Sequence, residues 1–149
     1  MERLSLDRVE ISIGGERWRA KLLRAQAPVS CARLRTMLPY RGTLLHARWS
    51  GEACWSPLGA AWPQGVLLKG ETATGSAEVG DILLFAGPQS EPELFIAYGA
   101  NRFACAAGPL RGNPVLHLEE GHERLAEIGA RCLFAGACEI EIKLAGAAS

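Results

Sequence analysis

Alternating apolar and polar residues predict strands at both ends of the chain. From Leu4 to Ile13 the sequence settles into a period of two, with apolar residues at positions 9, 11 and 13, which is typical of a half-buried strand. The glycine pair at 14–15 predicts a tight turn, and residues 17–22 then alternate basic and apolar side chains. Residues 138–142 alternate apolar side chains with glutamates, so a strand is predicted there too.

Apolar runs of strand length lie in the middle of the chain. Residues 81–85 (DILLF) and 94–98 (LFIAY) have the composition of buried strands, and a polar segment with two prolines separates them. Shorter strands are predicted at 44–45 and 53–55, on either side of a Ser-Gly turn, and at 113–118. Residues 59–80 lack periodicity and form a long loop, a length typical of functional or partly mobile loops.

Two segments have the periodicity of amphipathic helices. The first, residues 28–38, begins with a proline, which the first turn of a helix tolerates. The second, residues 120–134, ends before Gly136, a residue that favours a helix stop. Each helix carries an apolar stripe at i, i+3 and i+7, formed by Cys31, Leu34 and Leu38 in the first and by Leu125, Ile128 and Cys132 in the second.

The order of these elements predicts a mainly β fold. About eight strands with one early and one late helix do not alternate as βαβ units, which argues against a parallel sheet. We predict one domain over residues 1–149: a closed, roughly eight-stranded antiparallel barrel with a helix at each end. Closure removes the edges that many short strands would otherwise expose. We expect order over about residues 3–144 and a frayed tail at 145–149.

Composition narrows the partners and the compartment. The 16 basic and 16 acidic side chains cancel, so no nucleic-acid or membrane partner is predicted, while homo-oligomerisation stays open. No apolar run reaches the ~18 residues of a membrane span. Five cysteines without a C-x-x-C pair, after an N-terminus that does not resemble a secretory signal, predict free thiols in a reducing cytoplasm.

The richest concentration of reactive and aromatic groups is the segment 43–57, TLLHARWSGEACWSP. His46, Trp49, Glu52 and Trp55 bracket a turn, so we expect their side chains to converge at the barrel rim, where tryptophan faces stack a planar ligand. Histidine and glutamate there would offer hydrogen bonds or proton transfer. Alternatively, the tryptophans cap the barrel core and the histidine is a hydrogen-bonded core residue.

A second candidate segment, 98–103 (YGANRF), directly follows a predicted buried strand. Tyr98, Asn101 and Arg102 supply polar contacts there, and we add them to the candidate ligand-binding residues. Alternatively, the segment is an ordinary turn in which the asparagine is left-handed and the arginine is solvated. No catalytic residue is assigned.

No motif for a metal or a cofactor is present, and none is predicted. The three histidines, at 46, 117 and 122, do not have the spacing of metal ligands. GETATG lacks the Lys-Ser/Thr ending of a phosphate loop. Cys54 near His46 is a weaker candidate for nucleophilic catalysis, because the sequence shows no third group to orient the base.

The order of elements resembles cyclophilins. The hairpin with its GG turn, the APVSC helix and the strand ending in LLHARW are similar to the cyclophilin opening, where a V-P-K-T helix leads to a strand with F-H-R. GDILLF, ELFIAYG and PLRGNPVLHLEEGHERLAEIG resemble later cyclophilin segments, so the correspondence runs from Val9 to Leu144. The resemblance implies a cyclophilin-like barrel.

The motifs LPYRG, HARWSGE, YGAN and GPLRGNP identify the chain as a member of a bacterial cyclophilin-like family of unknown function. That family resembles, at the level of fold, the cyclophilin-like subunits of allophanate and oxoproline hydrolases, which handle ureide and imide-like groups. The resemblance implies a ligand of that kind.

The residues of prolyl isomerase chemistry are changed in this sequence. Where cyclophilins place the catalytic arginine, after the histidine of F-H-R, this chain has Ala47, and Arg48 comes one residue later. One residue of displacement on a strand turns a side chain to the opposite face. The late active-site histidine falls near Asn113, while Phe95 matches the proline-pocket phenylalanine. We therefore expect that isomerase activity is lost.

Three hypotheses follow. The first is a protein that binds a small polar metabolite of ureide, imide or carboxylate type at the barrel rim, with or without a reaction. The second is a non-catalytic subunit or interaction module of a metabolic enzyme. The third is a residual peptidyl-prolyl isomerase.

Overall fold

The computed structural model describes residues 4–146 and contains ten strands and two α-helices. In chain order the elements are β1 (Leu4–Ile13), β2 (Glu16–Leu22), α1 (Pro28–Thr36), β3 (Tyr40–His46), β4 (Gly51–Pro57), β5 (Asp81–Phe85), β6 (Glu93–Asn101), β7 (Ala104–Cys105), β8 (Gly108–Pro109), β9 (Asn113–Leu118), α2 (Leu125–Phe134) and β10 (Cys138–Gly146). Single 3₁₀ turns lie at Arg48–Ser50, Gly59–Ala61 and His122–Arg124.

Eight of these strands close into an antiparallel barrel, which confirms the predicted fold class. Neighbours are hydrogen-bonded in the order β1-β10-β3-β4-β6-β5-β9-β2, and β2 returns to β1. The two glycines of the β1–β2 hairpin take positive φ angles of 54° and 89°, as a tight turn requires. β7 and β8 form a separate small hairpin that the sequence pattern did not predict, because each strand has only two residues.

The sheet formed by β4, β6 and β5 is apolar on both faces. Its inner face contributes Cys54, Leu94 and Ile96 to the barrel core. Its outer face carries a second group of buried side chains, which we call the outer cluster: Ala47, Ala53, Ala77, Leu83, Phe85, Phe95, Ala97, Phe103 and Leu110. Two of these, Phe103 and Leu110, flank the β7–β8 hairpin, so that segment covers the outer face.

Both helices are shorter than predicted. α1 ends at Thr36, because Pro39 disfavours a helical conformation at the residue before it. α2 begins at Leu125 after a 3₁₀ turn and ends at Phe134, and Gly136 beyond it has a φ of +106°. α2 packs across β3, β4 and β6. Neither helix of the described chain has the length and apolar character to cross a lipid bilayer.

The predicted ends of β6 and β10 are wrong because both strands continue further. β6 extends to Asn101, so residues 98–101 are strand and not a turn. Asn101 is not left-handed: among the non-glycine residues that the structure describes, only Thr72 has a positive φ. Of the predicted frayed tail, Ala145 and Gly146 belong to β10, where Gly146 pairs with Leu4. Residues 147–149 lie outside the described part of the chain.

The long loop between β4 and β5 is tied to the barrel by Glu71. Its carboxylate accepts hydrogen bonds from the backbone N–H groups of Val29 (3.0 Å) and Ser30 (2.8 Å) at the start of α1, and from the Ser30 hydroxyl (2.5 Å). The buried Asn113 holds the same loop, since its side chain donates to Ser30 Oγ (2.8 Å) and to the Lys69 carbonyl (2.9 Å). The carboxylate therefore caps a helix that has no cap of its own.

We predict that Glu71→Ala lowers the free energy of unfolding by about 1–3 kcal/mol near neutral pH, because the buried Ser30 loses the acceptor of its backbone N–H and its hydroxyl group. Burial raises the pKa of Glu71, but the hydrogen bonds from Ser30 and Val29 outweigh it and lower the pKa overall. Stability from a depressed carboxyl pKa is present above the unfolded pKa and is lost as pH falls through the folded value. Denaturant titrations of both proteins should therefore converge at acid pH. The exposed loop residue Glu78 is the control, and an equal loss on Glu78→Ala would contradict this role.

Candidate functional site

Strand alternation in β4 divides the predicted site between two surfaces. Cys54 points into the barrel core, while its neighbours Ala53 and Trp55 face the outer cluster. β4 pairs with β3 on one side and with β6 on the other. Paired residues point to the same face, so side chains of β3 and β6 are divided in the same way between the barrel core and the outer surface. The residues proposed from the sequence are therefore distributed over three places.

His46 and Tyr98 lie together on the inner side, under α2. His46 Nε2 and the Tyr98 hydroxyl are 2.6 Å apart, and the rings meet edge to face with centroids 5.7 Å apart. Gly129 of α2 rests on the Tyr98 ring, where a side chain would clash. Burial, followed by the charge of Arg48, lowers the pKa of His46, and burial raises that of Tyr98. Both groups are held neutral near pH 7.

The side chains of Glu52 and Asn101 form hydrogen bonds with backbone groups near the end of β6. Glu52 accepts a hydrogen bond from Ala100 N (3.1 Å). Asn101 accepts from Ala77 N (3.1 Å) and donates to the carbonyls of Ala77 (2.8 Å) and Gly99 (3.0 Å). These contacts fasten the loop before β5 to the barrel.

Trp49 and Trp55 do come together, on the outer side. Their rings meet edge to face with centroids 5.9 Å apart, and Trp49 Nε1 donates to the Ala104 carbonyl at 2.8 Å. Trp49 is 56% exposed, which is unusual for so large an apolar side chain. With Ser90, Glu93 and residues 104–106 the two indoles line a cavity of about 410 Å³, which we call the tryptophan cavity.

The tryptophan cavity contains a buried carboxyl group that the sequence reasoning missed. Glu93 is 6% exposed and is paired with Pro57 on β4 and Phe85 on β5. Burial, with a further contribution from Glu91, raises the pKa of Glu93 to about 8. The available signal was strand alternation: Glu93 lies two residues before Phe95 and so shares its face. Because Glu93 is charged and ends a polar segment with two prolines, the sequence favoured a turn residue at this position.

Arg102 lies on the far side of Trp49, in a second cavity. This space of about 650 Å³ is also lined by Arg111, Phe103 and Leu110, so we call it the arginine cavity. Arg111 donates to the Ala73 carbonyl at 2.6 Å. Trp49 is thus a wall of both cavities.

The tryptophan cavity suits a planar, uncharged ligand. A protonated carboxyl group offers one donor and one acceptor side by side, and indole rings offer apolar faces for stacking. Elsewhere, among residues 4–146, no group of three or more His, Cys, Asp or Glu side chains has the arrangement of a metal site.

Comparisons with known proteins give a family but no activity. The model of the family described as "Protein of unknown function (DUF3830)" matches residues 9–144. No curated protein matches the sequence.

McbB and AF2241 are among the solved structures that share the fold. McbB, solved in complex with tryptophan, is 22% identical with a TM-score of 0.75 over 95% of this chain. The chain spans only 46% of the length of McbB. The hypothetical protein AF2241 from Archaeoglobus fulgidus is 16% identical with a TM-score of 0.62, over 96% of this chain and 98% of its own. At these identities the likeness shows the fold alone.

We predict that Glu93 makes the protein less stable in alkali. Its folded pKa of about 8 lies above the usual 4.5, so the native state holds a proton that the unfolded state has lost. The stabilisation that comes from this extra proton on Glu93 is fully present below the pKa of the unfolded state. It disappears as pH rises through the folded-state pKa of about 8. Urea unfolding of the Glu93→Gln variant should lose most of the decline that the wild type shows between about pH 5 and pH 9. The exposed Glu120→Gln variant should keep it, and an unchanged decline in Glu93→Gln would contradict the assignment.

Proposed function

The chain belongs to the DUF3830 family, and we propose that it binds a small, planar, neutral molecule of ureide or imide type in the tryptophan cavity. The observation that carries the proposal is the buried carboxyl of Glu93 beside two indole rings. The cavity volume of about 410 Å³ falls in the usual range for small-molecule sites.

The chemistry of Glu93 selects the ligand class. An imide or ureide edge presents an N–H and a C=O side by side, which matches the acceptor and donor of a protonated carboxyl group in one plane. The flat ligand then stacks against Trp55 or Trp49. The sequence-based prediction also included carboxylate ligands. We leave these out, because the negative charge of Glu91, which contributes to the raised pKa of Glu93, would also repel a bound anion.

The complex of McbB with tryptophan supports a binding role in general terms, because a protein that contains this fold holds a small molecule. The five free cysteines support the further proposal that the protein works in a reducing compartment such as the cytoplasm.

We also propose that prolyl isomerase activity is absent. The resemblance to cyclophilins aligns Ala47 with their catalytic arginine, and Ala47 is buried in the outer cluster while Arg48 is exposed. Phe95, the counterpart of the proline-pocket phenylalanine, is covered by Phe103 with ring centroids 4.5 Å apart. A side chain of the protein itself thus occupies the position where a substrate ring would stack.

A binding screen tests the main proposal. In calorimetry or thermal-shift experiments hydantoin, succinimide and simple ureides should bind, whereas matched dicarboxylates should not. Trp49→Ala should weaken binding by at least about tenfold, because it removes a stacking wall. Phe134→Ala is the matched control, since that aromatic ring is 86% exposed on α2 and remote from the cavity. No binding across the whole panel would overturn the proposal.

The pH dependence of binding tests the role of Glu93. Affinity for a neutral imide should fall as pH rises through about 8, because the ionised carboxylate has no donor. Glu93→Gln, which keeps a donor and an acceptor at every pH, should bind with little pH dependence. Simple amines are tested beside this panel. An affinity for amines that increases above this pH would instead identify a cationic ligand held by the carboxylate and the indole faces.

A protease-coupled assay with a proline peptide tests the loss of isomerase chemistry. We expect the observed rate to equal the uncatalysed rate at every protein concentration, with a cyclophilin as positive control. An increase in rate proportional to protein concentration would contradict this part of the proposal.

A further inference from the structure

Three of the five cysteines converge on the inner side of the barrel, away from the tryptophan cavity. Leu44 of β3 pairs with Cys138 of β10, and His46 pairs with Cys54 of β4. Because Leu44 and His46 are two residues apart on one strand, their partners project toward the same face. Both cysteines are buried, at 8% and 2% exposure.

The third thiol reaches the same place from α2. Cys132 is buried and its Sγ lies 3.8 Å from the carbonyl oxygen of Leu44, the residue opposite Cys138. Its thiol lies close enough to those of Cys54 and Cys138 for the three to affect one another's ionisation. The interactions with Cys54 and Cys138, aided by Arg131, lower the pKa of Cys132 against the opposing effect of burial. The pKa of Cys138 is raised by burial and by Cys132. We call Cys54, Cys132 and Cys138 the thiol cluster.

An open cavity reaches one member of this cluster, Cys138. Cys138 lines an open space of about 550 Å³ together with Gly14, Gly15 and Arg131. A side chain at Gly14 would come within 2.6 Å of Arg131 Nη1 and 3.7 Å of Cys138 Sγ, so the glycine leaves the passage to both groups open. A molecule as small as hydrogen peroxide can reach the Cys138 thiol, the neighbour of Cys132, by this route.

The chain between Cys132 and Cys138 allows them to approach each other. They are joined by the end of α2 and the exposed residues 135–137, in which Gly136 has a φ of +106°. Cys54 lies on β4, which is paired with strands on both sides and cannot move independently. Since a disulfide needs specific geometry, the pair with the adjustable connection is favoured.

We propose that Cys132 and Cys138 form a hydroperoxide-reactive dithiol site. The Cys132 thiolate attacks one oxygen of the hydroperoxide; an S–O bond forms, the O–O bond breaks, and the leaving oxygen takes a proton from solvent and departs as water or an alcohol. The Cys138 thiol then attacks the sulfur of the sulfenic acid, forming an S–S bond and releasing water. Two thiols lose two electrons and the hydroperoxide gains them. Two molecules of a small thiol of the reducing compartment restore the dithiol by exchange and leave as their own disulfide.

The wild-type protein provides the first test, which needs no variant. The reduced full chain is treated with hydrogen peroxide, alkylated and mapped by peptide mass spectrometry. We expect a Cys132–Cys138 disulfide to form at least about tenfold faster than Cys31 is oxidised, because reactivity follows the thiolate fraction. Cys31 is the internal reference, a single buried thiol whose pKa burial raises to about 11. Oxidation of Cys105 or Cys31 before the pair, or no oxidation short of unfolding, would overturn the proposal.

Variants assign the roles of the two thiols. Cys138→Ser should trap a sulfenic acid on Cys132 that dimedone labels, and Cys132→Ser should abolish peroxide consumption. Cys31→Ser is the matched control and should consume peroxide at the wild-type rate. Circular dichroism and the Tm identify any variant that fails to fold, in which case the wild-type peptide map alone decides. If Cys132→Ser still consumed peroxide at the wild-type rate and dimedone labelled its Cys138, Cys138 would be the thiol that attacks the peroxide. That result would contradict the assigned roles.

Discussion

Closure of the barrel is the constraint on which the rest of the structure depends. Once β1 and β2 join the sheet ends, every strand has an inside and an outside, and consecutive side chains must go to different surfaces. β4 shows the consequence most clearly. Cys54 joins a group of thiols in the core, and Trp55, the next residue, becomes a wall of the tryptophan cavity on the outer surface. Residues adjacent in sequence thus serve two separate environments.

The barrel could be predicted from the sequence because its signal is periodic and local. Alternation in β1, β2 and β10 identified their faces, and the apolar runs identified β5 and β6. Element ends were less predictable, since the sequence marks strand and helix interiors more strongly than the points where hydrogen bonding stops. The extension of β6 to Asn101 depends on its pairing with Gly51, and that is a tertiary contact.

The candidate site was less predictable for a physical reason. Grouping His46 with Trp49 and Trp55 required knowing which face each residue takes, and the short turn at Arg48–Ser50 resets the alternation between them. Glu93 was missed because a carboxyl group at the start of a strand ordinarily faces water. Here it is enclosed by Pro57, Phe85 and a hairpin too short to have its own pattern. Strand alternation gives the face that Glu93 shares with Phe95, but it does not show that remote segments bury that face.

Trp49 gives the outer surface a property beyond the binding of one ligand. Its indole separates the tryptophan cavity from the arginine cavity, and its hydrogen bond to Ala104 fixes the position of that partition. Because one indole bounds both spaces, a ligand beside Glu93 and a ligand beside Arg102 would contact the same side chain.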